Sequence, residues 1–127
     1  TGGVGDESTA VVEPTIFDGV TTDMSIARDE VFGPVAALIT FDSEEEAIAI
    51  ANDSIYGLAA SLWTTNLNRA HRVSRKLKAG TVSVNTMDAL DFSTPFGGFK
   101  QSGFGRDLSL HAIDKFTQLK TTWIKLA

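Results

Sequence analysis

The chain has 127 residues, 43% of them hydrophobic and 21% charged, an ordinary globular composition that excludes wholesale disorder. Its formal net charge of −5 argues against nucleic acid as a partner, because phosphate binding needs a basic surface. No apolar run approaches the length of a membrane span, and without a cysteine these residues support neither disulfides nor thiolate chemistry.

In chain order, "TGGVGDES" is glycine-rich and expected to be loose. "AVVEPTIFDGV" reads as an extended segment that Pro14 limits to an edge or a bend. "RDEVFGP" at 28–34 sets two acids beside an aromatic pinned by Gly33 and Pro34. The apolar "VAALITF" that follows, bounded by Pro34 and Asp42, reads as a buried strand. In "SEEEAIAIANDS" the Ser43–Glu46 spacing is that of a capping box. Glu44 and Glu45 favour the positive helix start, and a solvated first turn accounts for the acidic run better than a metal site.

"YGLAASLWTT" reads as a strand, and Thr65 or Asn66 is placed to cap a helix through "LNRAHRVSRKLKA". Leu67, Ala70, Val73 and Leu77 share one face of it, and Gly80 is expected to end it. Its arginines and lysines suit a helix C-terminus better than an anion site. "TVSVN" is a third strand. A long loop, "TMDALDFSTPFGGFKQSGFGR", leads to a final helix over "LSLHAIDKFTQL", capped by Asp107 or Ser109, and the closing "KTTWIKLA" alternates like a strand. Strands alternating with helices predict an α/β fold, mainly a parallel sheet with flanking helices. No repeat or internal boundary is evident.

Chemistry read from residue types alone is sparse. Gly98 and Gly103 have P-loop spacing, but Phe104 follows where Lys is required, and Leu108 stands where the dinucleotide fingerprint needs its third glycine. A tight loop whose turns need glycine explains the segment better. His71 and His111 share no ligand spacing, and Trp63 and Trp123 are expected to pack. There is no nucleophile, no metal cluster and no complete cofactor motif. Glu30, Phe32, Leu90, Asp91 and Phe96 remain as chemically distinctive loop residues, and loops on a rigid α/β scaffold are where binding concentrates.

Six segments, in this order, resemble the C-terminal portion of an aldehyde dehydrogenase: "VEPTIF", "RDEVFGPV", "ANDSIYGLAASLWT", "AGTVSVN", "PFGGFKQSGFGRD" and "KTTWIK". Nearly the whole chain is covered. "KQSGFGRDLSLHAIDKFTQLKTTWI" is most similar to the γ-glutamyl-γ-aminobutyraldehyde dehydrogenases of polyamine breakdown. The resemblance implies that residues 1–119 are part of the catalytic domain and that 120–127 form an oligomerisation strand, giving a homo-oligomer. It implies that Glu30 holds the nicotinamide ribose hydroxyls and that Phe32 backs the nicotinamide ring. Leu90 and Phe96 would line the aldehyde tunnel, with Asp91 near its mouth, where an acid suits a cationic or polar substrate tail. Backbone carbonyls of Lys100 and Gly103 would hold a monovalent cation, as in some members.

The family's catalytic cysteine, its oxyanion-steadying asparagine and its Rossmann half have no counterpart in these residues. The resemblance therefore implies a parent enzyme that uses NAD or NADP to oxidise an aldehyde, with an aminoaldehyde as the candidate substrate. This chain alone is expected to be inactive and to hold no dinucleotide tightly. A start without a signal-like segment sets a cytoplasmic setting as the expectation, and Thr1 is equally compatible with a processed start and a piece of a longer chain. Two alternatives compete: a non-catalytic interaction or assembly module that kept the fold, and a nucleotide-binding domain without catalysis. Retention of Glu30 and Phe32 favours the enzyme, since an assembly module has no need of a nicotinamide clamp.

Overall fold

The computed structural model describes residues 2, 8–9, 11–87 and 90–127. Most of the glycine-rich start, expected to be loose, and Asp88 and Ala89 of the long loop lie outside the described residues. The chain falls into two compact units, Thr1–Ile55 and Tyr56–Ala127, each described by itself below.

In the first unit, strand β1 (Thr15–Phe17) and strand β2 (Val35–Ala37) pair in parallel, Thr15 opposite Val35 and Phe17 opposite Ala37. Helix α1 (Ser25–Arg28) lies between them in sequence, as parallel pairing requires a crossover. The ladder is short. "VAALITF" is strand only over its first three residues, and Leu38 and Phe41 are exposed. It was expected to be buried. Its sheet has two strands among the described residues, so β1 is the strand β2 pairs with there. Helix α2 (Glu44–Asn52) starts at Ser43, whose hydroxyl accepts from the Glu46 N–H at 3.1 Å. The reciprocal half of the box is displaced by one residue, because Glu46 Oε2 accepts from the Asp42 N–H at 2.8 Å.

The second unit holds a parallel pair, β4 (Ala59–Leu62) with β5 (Thr81–Val84), and an antiparallel pair, β3 (Tyr56–Gly57) with β6 (Phe99–Lys100). "YGLAASLWTT" is thus two strands in two sheets, separated at Leu58, and not one. Helix α3 (Leu67–Lys76) connects β4 to β5 and packs on β5. Asn66 caps it, its Oδ1 accepting from the Arg69 N–H at 2.9 Å. The amphipathic reading holds at Ala70, which is buried, whereas Leu67 is exposed. Beyond β5, Asn85 closes the pair: its Oδ1 accepts from the Thr64 N–H at 2.8 Å and its Nδ2 donates to the Thr64 carbonyl at 2.9 Å.

Gly80 does not end α3, which stops at Lys76 with Leu77 as its C-cap. Its smallness serves a close backbone crossing. A Cβ at Gly80 would lie 1.7 Å from the Gly97 carbonyl oxygen, and one at Gly97 would lie 2.4 Å from that of Gly105. The glycine-rich loop therefore packs backbone on backbone. The final helix is a 3-10 helix over Leu110–Phe116, capped by Ser109, and is shorter than the expected 108–119. Residues 117–127 form no helix or strand in this chain, and Trp123 is 93% exposed, so it does not pack as expected; Trp63 is exposed as well. Among the described residues, Val20 and Ala70 are the buried hydrophobic side chains.

Candidate functional site

The "RDEVFGP" loop of the first unit is fixed at both ends. Upstream, the Asp29 N–H donates to the Ser25 carbonyl at 2.8 Å, closing α1, and Arg28 forms an ion pair with Asp53 at 3.4 Å. Downstream, the Pro34 carbonyl accepts from the Thr15 N–H at 2.8 Å, and the Val35 N–H donates to the Gly33 carbonyl at 2.7 Å. Between these anchors Phe32 adopts φ 52°, a left-handed conformation that disfavours a bulky side chain. The ring is 89% exposed.

Glu30 and Phe32 both line a cleft of about 290 Å³, together with Asp29 and the apolar Ile26, Val35 and Ala37. That volume is at the lower end of ligand sites, typically ~300–1,000 Å³. A carboxylate and an uncovered aromatic face on one cleft can accept hydrogen bonds from hydroxyls and stack a planar group. The expected pairing of Glu30 with Phe32 is thus brought together on one loop.

In the second unit, Leu90 and Asp91 are exposed and Phe96 is half-buried. Phe96 is tied to Asp107 by reciprocal backbone hydrogen bonds, 2.8 Å from its N–H and 2.7 Å to its carbonyl. Asp91 is turned on its own chain. Its Oδ1 accepts from the Ser93 N–H at 2.7 Å and the Ser93 hydroxyl at 2.5 Å. The hydroxyl first, and the amide second, hold its carboxyl below the usual value. Lys100 has φ 54°, and its carbonyl accepts from the Gly103 N–H at 3.2 Å. That carbonyl, expected to serve a cation, therefore already accepts one hydrogen bond within a turn. Among the described residues, no group of three or more His, Cys, Asp or Glu side chains could hold a metal ion.

Two residues of this unit escaped the reading of the sequence. Ser93 completes the Asp91 turn, and the D-x-S pattern was the available signal. Arg106 donates to the carbonyls of Gly98 at 3.0 Å and Gly105 at 2.6 Å, and its guanidinium lies 5.2 Å from the Phe99 ring centroid. It thereby fastens the glycine loop from inside.

Parallel strand pairs joined through helices, with the chemically distinctive groups on loops, define an α/β protein. The model of the aldehyde dehydrogenase family matches residues 1–122, and the chain belongs to that family. It is 57% identical over 117 residues to the NADP/NAD-dependent aldehyde dehydrogenase PuuC of Escherichia coli K12, a match covering 92% of this chain and 24% of PuuC. It is 50% identical over 113 residues to a betaine aldehyde dehydrogenase of Rhizobium johnstonii, covering 89% of this chain and 23% of that protein. Among solved structures, an indole-3-acetaldehyde dehydrogenase with NAD+ superimposes with a TM-score of 0.86 at 64% identity, over 91% of this chain and 23% of that one. The aldehyde dehydrogenase KauB of Pseudomonas aeruginosa gives 0.85 at 63% identity, over 91% and 23%. The chain thus spans about a quarter of the length of the curated relatives it matches.

Proposed function

We propose that this chain is the C-terminal part of the catalytic domain of an NAD- or NADP-dependent aldehyde dehydrogenase, which oxidises an aldehyde to a carboxylate. The observation that carries the reading is the loop on which Glu30 and the uncovered ring of Phe32 line one cleft. Those two side chains fit the nicotinamide end of the dinucleotide. The Glu30 carboxylate accepts hydrogen bonds from the ribose hydroxyls, charge-assisted and so of the stronger kind. The Phe32 ring limits where the nicotinamide can lie. The dinucleotide, when bound, supplies the hydride acceptor. Leu90 and Phe96 line the aldehyde path, with Asp91 at its mouth, and the carbonyls of Lys100 and Gly103 are the candidate cation ligands.

An aminoaldehyde of polyamine breakdown is the favoured substrate, supported by the similarity to PuuC and to a betaine aldehyde dehydrogenase. Residues 120–127 act in assembly of a homo-oligomer. Residues 1–127 alone oxidise no aldehyde, because they include no cysteine and covalent catalysis of this kind needs a thiolate.

The test uses the whole enzyme. Glu30→Gln should weaken dinucleotide binding about ten-fold or more, the range expected for hydrogen bonds to a charged acceptor. Fluorescence titration reads it. Unchanged binding and unchanged turnover would refute the assignment. NADH formed from propanal by the purified 127-residue chain, free of full-length enzyme, would refute its predicted inactivity.

A further inference from the structure

The turn at residues 91–94 is over-determined. The Thr94 N–H and the Thr94 hydroxyl both donate to the Asp91 carbonyl, at 3.0 and 2.9 Å. The Ser93 N–H and the Ser93 hydroxyl both donate to Asp91 Oδ1, at 2.7 and 2.5 Å. Four donors from two residues thus converge on one aspartate. The turn is also fastened from outside, since the Ser109 N–H donates to the Phe92 carbonyl at 2.8 Å and Phe96 is bridged to Asp107. The result is a hydrogen-bonded bend with Leu90 55% and Phe92 87% exposed.

Asp91 has a choice of partners. A carboxylate oxygen that accepts from its own loop is committed to the turn before any substrate arrives. Here one oxygen already accepts two hydrogen bonds from within its own loop, one of them short. An Asp followed two residues on by a Ser is a sequence that builds this turn by itself. The hydroxyl and amide of Ser93 hold the Asp91 carboxyl below its usual value, because both hydrogen bonds favour the charged acceptor.

We propose that Asp91 is a positioning residue of the aldehyde pocket, its carboxylate shaping with Ser93 the turn that sets Leu90 in place. This rests on the reading above that Leu90 and Phe96 border the aldehyde path. Asp91 then acts through the turn, on every aldehyde alike.

The experiment compares 3-aminopropanal with propanal in the whole enzyme carrying Asp91→Ala, Asp91→Asn, Ser93→Ala or both alanines. Asp91→Ala and Ser93→Ala should each raise KM about five-fold for both aldehydes, as expected from losing hydrogen bonds that order a loop, with kcat and dinucleotide affinity little changed. The double variant should be no worse than either single one, because both remove one shared device. Asp91→Asn should restore most of the loss, since its amide oxygen still accepts from Ser93. If Asp91→Asn raises KM for 3-aminopropanal alone and Ser93→Ala is silent, Asp91 is a charge partner of the substrate and the proposal falls. If Leu90→Ala moves KM while Asp91→Ala and Ser93→Ala do not, the positioning role falls by itself. If Leu90→Ala and Phe96→Ala are silent too, the assignment of the aldehyde path falls and takes the proposal with it.

Discussion

Replacing Gly80 by alanine tests whether the glycine loop is held by backbone contact or by a ligand. The added Cβ would lie 1.7 Å from the Gly97 oxygen, 2.8 Å from the Gly97 carbonyl carbon and 3.3 Å from the Gly98 Cα. All three atoms belong to the backbone, so no side chain can rotate away. The two segments must part by roughly 2 Å to reach an ordinary van der Waals distance. That movement strains the Gly80 N–H bond to the Gly57 carbonyl, 3.0 Å, and the Thr81 N–H bond to Leu58, 3.1 Å, at the start of the β4–β5 pair. Overpacking costs about 1–3 kcal/mol, and each weakened hydrogen bond up to about 1 kcal/mol more. Restricting the unfolded chain returns about 0.4–1 kcal/mol. The net is a local destabilisation of about 2–3 kcal/mol, or a rise on the order of 30- to 160-fold in the opening equilibrium. Amide hydrogen exchange of the whole enzyme, read on peptides covering residues 57–62 and 80–85, measures it. Gly33→Ala is the control, since its nearest neighbour would be Val31 Cγ1 at 3.8 Å, an ordinary contact. Protection unchanged in Gly80→Ala would refute the backbone-packing account.

Asn66→Ala should destabilise α3 by about 1 kcal/mol through loss of its N-cap, read as faster exchange of the Arg69 amide, and an unchanged rate would refute the cap. The Asp91 carboxyl is held below 3.8 when folded, so its bond to Ser93 stabilises the turn above that pH and is lost as pH falls through the folded value. The Ser93 amide NMR shift should therefore move only below about pH 4, and Asp91→Asn should abolish the transition. Removing residues 120–127 from the whole enzyme should dissociate the oligomer in light scattering, and an unchanged mass would overturn their assembly role.

The features legible in the sequence were those decided within a few residues. Ser43 and Asn66 cap their helices because a cap joins a side chain to an amide three positions on. Strand existence was legible from apolar runs, and strand extent was not. "VAALITF" continues apolar past Ala37, but its ladder stops where its single partner, β1, stops. The division of 56–62 into two sheets depends on β6, more than 30 residues downstream, and a two-residue strand such as Phe99–Lys100 carries no period to detect. In the candidate site, Glu30 and Phe32 were legible because three residues and a Gly-Pro turn hold them on one loop. Asp91 was noticed for its charge, while its partner Ser93 was overlooked. Arg106 was missed because its acceptors are carbonyls, which every residue has.

The backbone conformations tie these observations together. Phe32, Asn85, Lys100, Leu108 and Ser109 have φ between 52° and 59°, a region that disfavours residues with a Cβ, asparagine least of them. None lies inside a helix, and only Lys100 belongs to a strand, at its end. Asn85 is compensated by its two bonds to Thr64, and Lys100 by the turn to Gly103. Ser109 is held by its own N–H bond to Phe92 and by capping the 3-10 helix. Phe32 is different. Its neighbours are anchored through Asp29 and Pro34, but its ring is left uncovered. On the proposed reading that Phe32 backs the nicotinamide, its backbone conformation presets the ring for a planar partner, because strain built into the folded state need not be supplied again on binding.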